Sequence, residues 1–151
     1  FILVTYYLWY RPAAPLAERD CQAAPAAAVN WSGCEMPARN LGRADLSRAD
    51  LSNTMLKAAD LNGAQLRSAN LSYANLEDAD LRSADLRAAN LKGASLRGAN
   101  LSLGDLRDAD LGYANLQAAN LDGVNLSGTK FDQAIWTDGR VCANGSVGEC
   151  R

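Results

Sequence analysis

The chain contains no histidine. That absence removes the commonest general base, the imidazole metal ligands and every Ser-His or Cys-His nucleophile pair. Aromatic residues are scarce at 7%, with only two phenylalanines, so the interior is not built like that of an ordinary globular mixture. Charge of neither sign prevails: 15 Lys and Arg stand against 17 Asp and Glu, and no strong polyanion or polycation binding follows from the totals. The apolar stretch Phe1–Tyr10 has ten residues, half of the about 20 that a membrane-spanning helix needs. Four cysteines avoid the whole middle of the chain: Cys21 and Cys34 precede it, and Cys142 and Cys150 follow it. No cofactor is called for.

What is present is leucine and alanine in register. From Leu41 to Leu126 every fifth residue is leucine, eighteen in a row, and the phase continues through Phe131 and Trp136. Two residues before these centres stands Ala in fifteen of the nineteen units from Ala44 to Ala134; Thr54, Gly104, Val124 and Thr129 are the exceptions. Asp or Asn mostly comes just before the centre, as in Asp45, Asp50 and Asn70, and two variable, mostly polar residues follow it.

Five residues at about 100° each would rotate successive leucines by about 140° around a helix, so no apolar face would result. On a straight strand an odd period sends alternate leucines to opposite sides. One geometry keeps every leucine inside: the chain bends once per unit, always in the same sense, and the bends close into stacked coils. The interior then holds the centres, among them Leu46, Leu66, Leu86, Leu106 and Leu126, with Phe131 and Trp136 at the end, and Ala beside them where space is tight. Thr54 and Met55 break the pattern together, which points to a bulge or local irregularity.

The stretches "ADLSRADLSNT", "ANLSYANLEDADLRSADLRAANLKGASLRGANL" and "ANLQAANLDGVNLSG" closely resemble the pentapeptide-repeat proteins, whose motif is A-(D/N)-L-x-x. The resemblance covers about two thirds of the chain. It implies an all-β fold, a right-handed quadrilateral β-helix with four units per coil. Residues 39–138 would then make about five coils at a strand spacing of about 4.8 Å. Residues 21–38 and 139–151 are expected to close the two ends, where open coil edges would otherwise invite stacking of another chain. "VNWSGCEMPARNL" keeps the phase through Trp31 and Met36 and is placed to add part of a coil.

Two readings stand for the flanks. The cysteines pair locally, Cys21 with Cys34 and Cys142 with Cys150, or all four are free thiols in a reducing compartment. Zinc is disfavoured, because neither pair has C-x-x-C spacing. Residues 1–20, in which the small-residue, Pro-containing "RPAAPLAER" follows the apolar Phe1–Tyr10, are the surviving end of a secretory signal or an apolar arm packed on the domain. The first alternative of each pair places the protein in the periplasm or outside the cell; the second places it in the cytoplasm.

With twenty residues per coil, Ser47, Arg67, Arg87, Arg107 and Ser127 form one column, and Asp45, Gln65, Asp85, Asp105 and Asn125 run beside it. A mixed Arg–Asp ladder is expected there, with a basic stripe as the alternative. Tyr73 and Tyr113 share a column, with Gly93 expected to leave a shallow gap between their rings. Leu103 is apolar at a variable position. These six residues, Arg67, Arg87, Arg107, Tyr73, Tyr113 and Leu103, are the candidate interaction surface. Asp60 and Asp80 stack in one column, a candidate arrangement of Ca²⁺ ligands, yet Asn100 and Asn120 continue that column as in a solvated ladder.

Function therefore reads as a non-enzymatic scaffold that binds a protein, as a monomer in preference to an oligomer, without nucleic acid or a membrane span. The alternative implied by the resemblance is a DNA mimic that modulates DNA gyrase and gives quinolone resistance. That mechanism needs a strongly negative rod, whereas residues 39–138 hold thirteen acidic against eleven basic side chains.

Overall fold

The computed structural model describes residues 18–151. Residues 1–17, and with them most of the expected N-terminal segment 1–20, lie outside the described residues. From Asn30 to Asn115 each residue just before a centre bridges in parallel to the residue twenty further on, so the ladder runs to Ile135 without a break in register. A tight turn follows every centre, closed by bonds such as Ala64 N–H to Leu61 C=O at 3.0 Å. Four such turns per twenty residues give each coil four sides.

One unit explains the motif. Leu61 N–H donates to Asp80 C=O, Gly63 N–H to Arg82 C=O, Ala64 N–H to Leu61 C=O and Gln65 N–H back to Ala44 C=O. The N–H of Asn62 has no backbone acceptor in this pattern and donates instead to Asp60 Oδ1 at 3.0 Å. Asp or Asn stands before the centre for this reason: its short side chain reaches the amide two residues on, an Asx turn. The same bond recurs at Asp45, Asp50, Asn75, Asp85, Asn90 and Asp105, among others. All five donors of a unit are thus satisfied, which a buried ladder requires.

The interior is solid leucine and alanine. Leu46, Leu66, Leu86 and Leu106 are fully buried, as are Phe131 and most of the alanines two residues before the centres. Leu126 and Trp136, expected in the core, are only half-buried. No coil stacks on the units of Leu121 and Leu126, so their outer edges stay open; Trp136 sits edge-on to Phe131, ring centroids 5.0 Å apart.

The part of a coil expected from Trp31 and Met36 is present: Asn30 and Glu35 bridge Asp50 and Met55, and Trp31 and Met36 are buried centres. Two other expectations are corrected. Thr54 and Met55 form no bulge. Met55 bridges Glu35 and Asn75 in register, and the buried Thr54 hydroxyl donates to Trp31 C=O at 2.8 Å. Thr129 repeats the device on Leu106 C=O, so both threonines replace alanine inside the core with their hydroxyls satisfied.

Gly93 leaves no gap between the tyrosines either. A Cβ at Gly93 would meet the Tyr73 ring at 2.5 and 2.6 Å, so that ring already lies over the glycine. The residue two after each centre from Trp31 to Phe131 has positive φ whether or not it is glycine; Ala58, Ala88 and Ala118 adopt it at 54–59°. Glycine is needed at 93 because of the neighbour twenty residues earlier, not because of φ alone. Gly93→Ala is therefore expected to cost about 2 kcal/mol, and about half of that in a Tyr73→Ala background. Equal costs in both backgrounds, measured by denaturant unfolding, would break this account.

The flanks are tied locally. Cys21 is bonded to Cys34 and Cys142 to Cys150, with Cα atoms 5.6 and 4.9 Å apart. After Trp136 the chain doubles back: Lys130 pairs antiparallel with Val147, and Ile135 with Val141. The tail thereby lies along Phe131 and Trp136 but leaves the units of Leu121 and Leu126 uncovered.

Candidate interaction surface

The four-sided coil decides where each candidate side chain stands. Leu103 lies at the turn between the sides centred on Leu101 and Leu106. The arginine column lies at the next turn along, and Tyr73 and Tyr113 at the one after that. Leu103, 71% exposed, and the tyrosines, 64% and 61% exposed, therefore occupy diagonally opposite edges of the rod. The structure brings the tyrosines into one column but does not join Leu103 to them. The Lys92 ammonium sits 5.5 Å from the centroid of the Tyr113 ring, a cation–π contact that orients it.

Arginine and aspartate interleave along their turn. Arg87 forks onto Asp85, Nε to Oδ1 at 2.8 Å and Nη2 to Oδ2 at 2.5 Å. Arg107 grips Asp105 in the same way at 2.9 and 2.7 Å, and Arg82 grips Asp80 on the preceding side. Arg87 also approaches Asp105 of the next coil at 3.7 Å. On another side Lys57 reaches Glu77 at 3.2 Å across one coil. Sequence reasoning missed this last pair, although its spacing of twenty was there to be read.

These contacts set the acid–base behaviour. Hydrogen bonds from Arg82, Arg87 and Arg107 hold the carboxyls of Asp80, Asp85 and Asp105 below the usual aspartate range, against the opposing effect of partial burial. Lys57 does the same for Glu77. A carboxyl lowered in the folded state stabilises it fully above the ordinary Asp value of about 3.9, and that help is lost as pH falls toward the lower folded values. The unfolding midpoint is expected to stay level from about pH 7 to 5 and to decline below about 4, weakly and in a salt-sensitive way because the pairs are exposed. A midpoint unchanged down to pH 3 would show that the ladder contributes nothing.

No group of three or more acidic or cysteine side chains is arranged to hold a metal ion among the described residues. Asp60 and Asp80 do bridge in one column, as do Asn100 and Asn120, but Asp60 and Asp80 each spend an oxygen on an Asx turn. Among the described residues, no helix is long and apolar enough to cross a membrane.

A protein-family model described as pentapeptide repeats matches residues 40–72, 64–102 and 105–135, with eight copies. The chain belongs to the pentapeptide-repeat family. Among solved structures, the pentapeptide repeat protein Rfr23 from the cyanobacterium Cyanothece 51142 is 33% identical, over 71% of this chain and 90% of its own, with a TM-score of 0.62. A pentapeptide repeat protein of the Arabidopsis thaliana thylakoid lumen is 28% identical, over 78% of this chain and 84% of that one, with a TM-score of 0.38. Full-length QnrB1, a plasmid-mediated fluoroquinolone resistance protein, is 21% identical, over 86% of this chain and 70% of its own, with a TM-score of 0.41. A comparison with curated proteins finds no match.

The family relationship gives the coil its name, the right-handed quadrilateral β-helix. In this pentapeptide-repeat chain the side chains that face out are those at the Asx position and the two turn positions. The sequence signal that would have sharpened the surface is the column read downward. Asp45, Asp85 and Asp105 are interrupted by Gln65, and a glutamine is one methylene too long to repeat the Asx bond.

Proposed function

We propose that the chain is a non-enzymatic scaffold and protein-interaction module, about five coils long and flanked at each end by a disulfide-bound segment. The observation that carries this reading is how the polar side chains are committed. Asp and Asn hold the backbone of their own turns, and Arg87 and Arg107 clamp those same aspartates. The interior beneath them is filled by Leu and Ala. Such a rod offers flat, rigid sides for recognition, the use to which repeat solenoids are put. The exposed Tyr73 and Tyr113 are anchors of the residue type enriched at protein interfaces.

The two disulfides favour an oxidising compartment, the periplasm or the exterior. The partner is a protein, the module works as a monomer, and nucleic acid is not its target, because the repeats carry interleaved charges rather than a negative face.

The test is cross-linked capture from an exported fraction with wild type and with the Tyr73→Ala/Tyr113→Ala variant. A specific protein captured by the first and lost with the second supports the reading. A supercoiling assay addresses the gyrase alternative: protection of DNA gyrase from a quinolone at low stoichiometry would replace the scaffold reading.

A further inference from the structure

The turn that carries the arginines contains one irregularity. At three levels of the column the residue before the centre is Asp, but at Gln65 it is a longer, neutral amide. Where Asp is present, its oxygens do two things: Asp85 accepts the backbone N–H of Arg87 and holds the Arg87 guanidinium, and Asp105 does both for Arg107. At the Gln65 level neither occurs. Gln65 and Arg67 are exposed, and among the described residues the Arg67 guanidinium makes no hydrogen bond or ion pair. One coil on, Arg87 uses Nε and Nη2 for Asp85, which leaves Nη1 unengaged.

Arg67, Arg87, Ala88, Arg107 and Asp108 surround a hollow of about 230 Å³. Its charge is graded. At the Arg107 end Asp105 and Asp108 stand beside the cation, and Arg87 is shared between Asp85 and, at 3.7 Å, Asp105, whereas the Arg67 guanidinium has no carboxylate of its own. Ala88, at the turn position between them, keeps the floor low.

We propose that Arg67, together with Nη1 of Arg87, is a docking point for one carboxylate of an extended acidic segment of a protein partner. A carboxylate matches the planar donor fork of arginine in two parallel bonds. The local excess is a single positive charge, which suits one Asp or Glu side chain. A polyphosphate backbone laid along the same turn would run onto Asp85, Asp105 and Asp108. The docked carboxylate takes the place that an aspartate at position 65 would have filled from within. The proposal rests on the scaffold reading and names the chemistry of its partner.

The experiment is anisotropy of fluorescein-labelled hexaglutamate against the purified full chain, at low and at physiological salt. Binding is expected at low salt and is expected to weaken as salt shortens the screening length to about 8 Å. Arg67→Gln should weaken it about fivefold, the scale of one exposed ion pair. The decisive variant is Gln65→Asp, which supplies Arg67 with an internal partner: it should weaken hexaglutamate by a similar factor while raising Tm. Arg107→Gln, at the balanced end, should change affinity by less than about twofold. Equal affinity of wild type and Gln65→Asp overturns the proposal, as does tighter binding of a short DNA duplex or of inorganic phosphate than of hexaglutamate. Because the titration uses purified protein, its result stands apart from whether a cellular partner is captured.

Discussion

Leu86→Ala is expected to lower stability by about 2–5 kcal/mol, the range for deleting a buried leucine side chain when its surroundings relax only in part. At this chain length that corresponds to a fall in Tm of about 4–20 °C. Leu86 is fully buried, with the coils of Leu66 and Leu106 stacked on either side of it. The backbone around it is pinned on both edges, Leu86 N–H to Asp105 C=O and Asp85 N–H to Ala64 C=O. The coil cannot collapse onto the void without breaking that ladder. The informative control is Leu126→Ala at the open end, where the side chain is only half-buried and nothing stacks above it. Its cost should be less than half as large. Comparable losses at 86 and 126 in urea unfolding would mean that stacking from both sides does not set the value of a leucine here.

The second large effect concerns the tail. Removing the Cys142–Cys150 bridge by the paired substitution Cys142→Ala/Cys150→Ala frees a loop of eight residues in sequence separation. The entropy of closing so short a loop corresponds to about 2–3 kcal/mol. The loss should be local. Four backbone bonds hold the tail to the last coil, among them Phe131 N–H to Ser146 C=O at 2.9 Å and Cys142 N–H to Ala134 C=O at 2.8 Å. Without the bridge these bonds fray together, so limited proteolysis after Arg140 should accelerate before the rod unfolds. A tail that resists protease equally well after the substitution would show that its antiparallel pairing suffices by itself. The opposite flank offers a comparison, since Cys34 stands at an alanine position and is buried inside the first coil with its bond to Cys21.

Much of this fold is legible in the sequence because one physical requirement repeats. An odd period with one large apolar residue demands a bend per unit, and the twenty-residue advance of the bridges follows from four bends closing a coil. Local cysteine pairs were one of two readings of their position outside the array, and the structure forms them. The reason for Asp or Asn before each centre was less visible. Only the hydrogen-bond pattern shows that the amide after each centre has no backbone acceptor and needs Asp60 or Asn75 to supply one.

The surface was legible as columns but not as contacts. Position in the repeat tells which residues stack; it does not tell how a side chain at positive φ leans. Tyr73 leans onto Gly93, Asp78 onto Gly98 and Leu103 onto Gly123, each with its neighbour twenty residues later. The pairing of a larger residue with glycine one coil on is written in the sequence, yet it has meaning only once the coil length and the lean are both known. The Thr54 hydroxyl likewise looked like a defect, because its acceptor, Trp31 C=O, is 23 residues away.

The sequence alone determined the bend in every unit, the interior residues and the columns they create, since these follow from side-chain period and size. Tertiary structure decided which polar groups neutralise one another, which are left over, and where the rod stays open, at Leu121 to Gly128. Those outcomes depend on atoms brought within a few ångströms by stacking, and on where the returning tail covers the last coil.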